Sequence, residues 1–206
     1  MRRTPHPITS PSPHPTTSSS HHLPITHSPR HPLTRSPMPH YTIRTARRSD
    51  LPALEWDGAY THFRRLFARA YEYVLRGEAT IFLAEHPQDG IVGQVFVQYE
   101  SNRPELADGN ERAYVYSFRV KPAHRGQGIG TRLMETVEND LRARGFRRVT
   151  LNVAKDNPRA RQLYERLGYR VVGEDPGQWS YEDHNGHRRF VSEPAWRMWK
   201  ELSPKT

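Results

Sequence analysis

The sequence predicts an α/β (α+β) fold, a mixed and mostly antiparallel central sheet flanked by helices. Three observations predict it. Apolar residues alternate with a period of two in several short stretches and recur at steps of three and four in longer ones. Turn chemistry separates neighbouring strand-type stretches, His-Pro-Gln-Asp-Gly at 86–90 and Asn185-Gly186, and so marks hairpins. A glycine-rich segment, Gly126 to Gly130, stands between a strand pattern and a helical one.

The elements follow in order. Tyr41-Thr-Ile-Arg-Thr45 alternates as a strand does. Ser49 and Asp50 are helix N-cap types, and Pro52 suits a first turn. From Ala59 the positions Tyr60, Phe63, Leu66, Phe67, Ala70, Tyr71, Val74 and Leu75 describe one face of a helix that ends near Gly77. Ala79 to Ala84 and Ile91 to Tyr99 read as two strands of a hairpin, followed by a polar loop at 101–111. Ala113 to Val120 is a third strong strand. After the glycines, Ile129, Leu133, Val137 and Leu141 recur every four residues. Arg142 and Arg144 complement the dipole of that helix and Gly145 ends it. Val149 to Val153 is a strand. Asn157-Pro158 pairs an N-cap with proline at the first helical position, and Ala160, Leu163, Tyr164 and Leu167 form a buried stripe closed by Gly168. Tyr169 to Val172 is another strand, Asn185-Gly186 turns a hairpin, and Trp196 to Leu202 closes the sheet.

Composition divides the 206 residues into two parts. Of residues 1–40, 30 are Pro, Ser, Thr or His, with no acid and no glycine. Ten prolines there interrupt helix and sheet alike, so the segment is expected to be a disordered tail. Met38 is an alternative start, the upstream residues then being a misassigned reading frame. Seven histidines in the tail are irregularly spaced, and no metal site is expected. Residues 41–204 form the expected single domain, large enough to bury a core. The chain has no cysteine, which removes a Cys nucleophile, an iron–sulfur cluster and a disulfide framework. No apolar run approaches the ~20 residues that span a bilayer, so no membrane partner is expected. The net charge is +9, but four of the 31 basic residues lie in the tail. No strand carries an RNA-binding aromatic signature, so nucleic acid is not expected as a partner.

Gly126, Gly128 and Gly130 carry the chemistry. Glycines let backbone N–H groups come close to a ligand, and a following helix N-terminus adds partial positive charge, which together suit a pyrophosphate. Arg125 adds a full charge. A P-loop would need Gly-Lys-Ser/Thr, and Thr131 follows Gly130 with no lysine. A dinucleotide fingerprint would need Gly at 131, or Gly or Ala at 133, where Thr131 and Leu133 stand. Arg125, Gly128 and Gly130 match Gln/Arg-x-x-Gly-x-Gly/Ala. The stretch from Val120 to Leu133 thereby resembles the acetyl-coenzyme A loop of the GNAT N-acetyltransferase superfamily. Asn152 to Gly168, with Asn157, Tyr164 and then Leu167-Gly168-Tyr169, resembles that family's fifth strand and fourth helix.

The resemblance implies a GNAT-like fold over about 41–202 and an acetyl-CoA co-substrate with no metal. Backbone amides of Arg125, Gly126, Gln127, Gly128, Ile129 and Gly130 would hold the pyrophosphate. Main chain from Phe118 to Val120 would pair with the pantetheine arm, and Asn157 would touch the coenzyme near its thiol, besides capping its helix. Tyr164 matches the usual general acid. The resemblance implies direct acetyl transfer in a ternary complex, with no acyl-enzyme, to an amine of a small molecule or a protein. The enzyme would be cytoplasmic, a monomer or a homodimer. The alternative is a non-catalytic acyl-CoA sensor on the same fold. Some relatives carry a glutamate base on the strand before the loop; here that strand has no acid, and Glu111, Glu100 and His62 are the remaining candidates. Trp56, Tyr60, Phe63, Trp179 and Tyr181, with Glu174, Asp175, Glu182 and Asp183, are aromatics and acids able to receive a cationic amine. Equally, they suit a core and a solvated hairpin.

Overall fold

The computed structural model describes residues 41–203; the expected tail at 1–40 lies outside the described residues. In chain order the strands are β1 (Thr42–Thr45), β2 (Ala79–His86), β3 (Gly90–Gln98), β4 (Arg112–Val120), β5 (Arg148–Ala154), β6 (Arg170–Asp175), β7 (Gln178–Glu182), β8 (Arg188–Ser192) and β9 (Ala195–Glu201). The helices are α1 (Arg64–Leu75), α2 (Ile129–Ala143) and α3 (Pro158–Arg166). Seven strands form one sheet in the order β1-β2-β3-β4-β5-β9-β6, and β7 and β8 form a separate hairpin. Neighbours in the large sheet are antiparallel except β4 and β5, which α2 joins as a crossover. Among the described residues no helix is long and apolar enough to cross a membrane.

Both faces of the sheet are covered, so the central strands read as continuous apolar runs rather than clean alternations. On one face Leu133, Met134, Val137 and Leu141 of α2 pack with Val95, Val97, Val115, Val149 and Leu151. On the other, Phe67 and Ala70 of α1 pack with Ile81, Leu83 and Phe96. Each fully buried side chain of this size contributes about 1.5–3 kcal/mol, so the two clusters fix which way every strand faces.

Four local expectations shift. The first helical segment is a 3-10 helix, Arg48–Glu55, in which Asp50 is the third residue and accepts the Arg47 N–H at 2.7 Å. The long helix begins at Arg64 rather than Ala59, because Trp56 and Asp57 have positive φ and turn the chain first. The strand at the C-terminus does not close an edge: β9 inserts between β5 and β6, antiparallel to both. The β7–β8 connection is also longer than a two-residue turn. Glu182 pairs with Arg188, and Asp183 organises the loop by accepting from the N–H groups of Asn185 and His187.

Two irregularities in β4 matter for function. Its ladder with β5 holds only from Arg112–Arg148 to Val115–Leu151; beyond that the two strands no longer pair with each other, while β4 stays paired with β3 and β5 with β9, so a gap opens between them. Its register with β3 slips at Ser117, a non-glycine residue with φ of 50°. This is a β-bulge, the extra residue that bends a strand and re-aims its side chains.

Candidate active site

The loop between β4 and α2 is built so that its backbone faces outward. Gly126 and Gly128 have φ of 78° and 80°, conformations costly for any residue with a Cβ, and a Cβ at either would meet no atom within 4 Å. The N–H groups of Gly126, Gln127 and Gly128 make no hydrogen bond among the described residues, and no side chain caps α2. The side chains of the loop are otherwise engaged. Arg125 donates Nε to the Val120 carbonyl at 2.9 Å. Gln127 donates to the Ala123 carbonyl at 3.2 Å and accepts the Tyr41 hydroxyl at 2.5 Å. Ile129 is buried in the core, which leaves only its main chain to a ligand. Gly130 acts through its size instead. A Cβ there would lie 3.1 Å from Phe118 and 3.5 Å from Leu163, so its smallness lets α2 approach β4 and α3.

Next to this loop the gap between β4 and β5 is walled by α3. Asn157 caps that helix by accepting the Ala160 N–H at 3.1 Å, with Pro158 at the first helical position. Tyr164 is the buried residue of that helix and packs beside β4. Its ring lies 6.0 Å from Phe118 and 5.8 Å from Tyr169, and only 6% of the residue is exposed. Tyr169 donates its hydroxyl to Glu138 at 3.2 Å, whereas the Tyr164 hydroxyl makes no hydrogen bond among the described residues. Burial, and then the neighbouring Tyr114, push this phenol above the usual tyrosine range, so it stays protonated.

On the opposite face, under α1 and the β7–β8 hairpin, lies a cavity of about 480 Å³. Phe63, Tyr116, Ser117, Arg119, Asn152 and Trp179 are among its walls. Ser117 and Asn152 sit where β4 and β5 part, so the cavity and the gap meet. Trp179 and Phe63 are the expected aromatics that line it; Trp56 is buried against Tyr60 instead. The four expected acids are all engaged elsewhere. Glu174 pairs with Lys155 at 2.7 Å and Glu182 with Arg65 at 3.2 Å. Asp183 holds its own loop and Arg189. Asp175 reaches the cavity wall but is clasped by Arg103 and Arg197 at 2.5 and 3.0 Å. Burial opposes its charge, yet the hydrogen bonds from Arg103, the Gly177 N–H and Arg197 outweigh that and hold it at about 2. All four acids are thus paired with cations, Glu174 and Glu182 on the surface and Asp175 and Asp183 buried, so none stands free to receive a cationic amine. Glu100, Glu111 and His62 do not line the cavity; Glu193 does. Among the described residues no group of His, Asp or Glu is placed to hold a metal.

A family model for the acetyltransferase (GNAT) family matches residues 43–169. That is well over half of the chain. The chain belongs to the GNAT acetyltransferase family. The span runs from β1 through α3, and so contains the loop, the gap and Tyr164, while β6 to β9 lie beyond it.

Among curated relatives, N-alpha-acetyltransferase 40 of Saccharomyces cerevisiae is 50% identical over 68 residues, covering 29% of this chain and 24% of that protein. The 5-NmdU N-acetyltransferase of Pseudomonas phage PaMx11 is 35% identical over 97 residues, covering 47% and 61%. The chain thus spans 24% to 61% of the length of these two curated relatives. The ribosomal-protein-S18-alanine N-acetyltransferase of Escherichia coli superposes with a TM-score of 0.60 at 21% identity, covering 81% of this chain and 97% of that one, which shows a shared GNAT fold.

Several residues of this GNAT site were not singled out from sequence. Gln94 is wholly buried in β3 and donates to the Ser117 carbonyl and hydroxyl, both at 3.4 Å, buttressing the bulge. Arg119 and Asn152 face the cavity, and Glu193 reaches it from the β8–β9 connection. A glutamine within the apolar run Ile91 to Val97 is the signal that was present; the others carry none, because long-range packing alone brings them together.

Proposed function

We propose that this chain is an acetyl-CoA-dependent N-acetyltransferase that moves the acetyl group directly to an amine in a ternary complex, without an acyl-enzyme. The observation that carries the proposal is the splayed β4–β5 gap, open to the glycine loop on one side and to the 480 Å³ cavity on the other. The cavity favours an enzyme over a sensor, which needs no acceptor site. The residues present suit the coenzyme. Unpartnered amides at 126–128 and the uncapped start of α2 offer donors and partial positive charge to a pyrophosphate. The β4 main chain near Phe118, without a partner on its β5 side, offers strand-type hydrogen bonds to the amides of the pantetheine arm. The Val120 carbonyl is held by Arg125, which gives that arginine an anchoring part beside the loop. Asn157 keeps its amide nitrogen available beyond its capping bond.

Acetyl-CoA supplies an activated thioester carbonyl. The amine nitrogen forms the new bond to that carbonyl carbon as the carbon–sulfur bond breaks. Tyr164 gives its phenolic proton to the departing sulfur. The nitrogen loses a proton, which Glu193 accepts directly or through water; among cavity carboxylates it is the one that makes no ion pair among the described residues. Transfer of that proton back to Tyr164 through solvent restores the enzyme. A positioned acid of this kind is worth ~10²–10⁴ in rate.

Gly128→Val tests the coenzyme site. It should weaken CoA binding at least ~10-fold by calorimetry, equivalent to ~1.4 kcal/mol, with the thermal midpoint confirming a folded protein. Gly130→Ala instead bears on packing: its Cβ would sit 3.1 Å from the Phe118 ring, so CoA affinity should change less than in Gly128→Val. Unchanged CoA affinity in folded Gly128→Val, or no thiol release with any amine, overturns the proposal.

A further inference from the structure

Arg119 is the unusual charge in this molecule. It follows the bulge on β4, with its guanidinium 4.2 Å from the centre of the Tyr60 ring and 5.3 Å from that of Phe63. One of its N–H groups donates to Ser117 Oγ at 3.0 Å. Among the described residues no carboxylate lies within 4.0 Å of it. Arg103, also of the cavity lining, contrasts with it: it clasps Asp175 together with Arg197, which lies outside the lining. A guanidinium has five donors in a planar fork suited to a carboxylate, and most of the fork of Arg119 has no protein partner. Burial lowers its proton affinity, the mark of a cation removed from water without a full countercharge.

The rest of the cavity has the complementary features. Asn152 Oδ1 is buried with no hydrogen-bond partner among the described residues, an acceptor for an N–H. Glu193 is a carboxylate at the cavity wall. Arg69 is a third arginine of the lining beside Arg119 and Arg103, and Asp175 is neutralised by Arg103 and Arg197. A polyamine would bring a second positive charge toward Arg119 and Arg69 with no free acid there to receive it. An amine that also carries a carboxylate satisfies both ends, and the cavity volume suits a small molecule.

We propose that Arg119 binds the carboxylate of a small zwitterionic acceptor of the free amino-acid type, while Asn152 and Glu193 receive its amine end. This assignment rests on the acetyltransferase proposal above and names its substrate class. In the test, thiol release is followed with saturating acetyl-CoA across four sets. They are free α- and ω-amino acids, the same compounds as carboxamides, alkyl diamines of matching length, and short peptides with an acidic second residue. The best free acid should exceed its carboxamide by ~10–100-fold in kcat/KM, the usual range for one charge-assisted pairing. Arg119→Met should erase that preference chiefly through KM and leave CoA affinity unchanged, and Arg119→Lys should restore part of it. Equal or better use of carboxamides or diamines, or a preference that survives in Arg119→Met, overturns the carboxylate assignment and leaves the acetyltransferase standing. A preference for the acidic peptides over free acids overturns the small-molecule assignment. If no amine is acetylated, the acetyltransferase reading fails. Calorimetry of acids against carboxamides on the CoA-saturated protein then decides the assignment alone, equal or absent binding overturning it.

Discussion

Tyr164→Phe separates chemistry from packing at the centre of the proposed site. The change removes one oxygen from a residue that is 6% exposed and leaves the ring against Phe118 and Tyr169 at 6.0 and 5.8 Å. That oxygen makes no hydrogen bond among the described residues, so no protein bond is lost. Stability should therefore stay within about 1 kcal/mol of the parent. The catalytic effect should be far larger. Loss of a positioned proton donor costs ~10²–10⁴ in turnover, or ~2.7–5.5 kcal/mol of activation free energy. The raised phenol also has a consequence for pH. The donor is the protonated form, so Tyr164 contributes no falling limb to the rate profile below pH ~10, its unshifted value. Single-turnover thiol release, CoA calorimetry and thermal melts on the same variant give all three quantities. Turnover within about threefold of the parent, with chemistry rate-limiting, would refute the assignment of the acid. So would a loss of stability matching the loss of rate, since the hydroxyl would then be structural.

Two further changes probe the walls of the cavity. Asp175 has its pKa lowered from 3.8 to about 2, so its contribution to stability is complete above pH ~4 and is lost as the pH falls toward 2. The shift corresponds to ~2.5 kcal/mol at most, and screening from the open cavity beside it reduces this to ~1–2 kcal/mol. Denaturant melts between pH 5 and 2 should show that slope, and Asp175→Asn should remove it; an unchanged slope would separate Asp175 from acid stability. Gly177→Ala places a Cβ 1.7 Å from the Glu193 carbonyl at a φ of 64°, so the β6–β7 and β8–β9 connections must part. A loss on the order of 3 kcal/mol is expected, with a raised KM for the acceptor and little change in CoA affinity; wild-type stability would mean the crossing is not rigid.

The proposed coenzyme half of the site is legible in the sequence because it is local. Arg125, Gly126, Gln127, Gly128, Ile129 and Gly130 are consecutive, and the strand before them and helix after them show in their own periodicities. The legible letters did not distinguish roles within the loop. Gly128 keeps a backbone open to ligand, whereas Gly130 makes room for Phe118, and only packing separates the two. The proposed acceptor half was not legible, because its charges are set by partners far away in sequence. Asp175 looks like a receptor for a cation until Arg103 and Arg197 are seen on it, 72 and 22 residues distant. The strand order failed to show for the same reason: an apolar stretch at the C-terminus is equally suited to an edge or to insertion between β5 and β6, and its pairing partners decide.

The bulge at Ser117 joins the two halves. Before it, Ala113 and Val115 face α2 while Tyr114 and Tyr116 face the cavity. An unbroken period of two would carry Ser117 and Arg119 to the α2 side and Phe118 to the cavity side. Arg119 would then be buried next to Gly130 and Tyr164 with no carboxylate to meet it, at a cost of several kcal/mol. The extra residue reverses the parity. Tyr116 and Ser117 both line the cavity, Phe118 turns to pack on Gly130 and Tyr164, and Arg119 enters the cavity beneath Tyr60. The same slip forces φ at Ser117 to 50°, a strain of ~1–3 kcal/mol that persists only where surrounding structure over-determines it. Gln94 and Arg119 supply that support through the Ser117 hydroxyl. One strand can thus present an apolar ring to the proposed acid on one side and a cation to the proposed acceptor on the other. No regular strand with this sequence could do both.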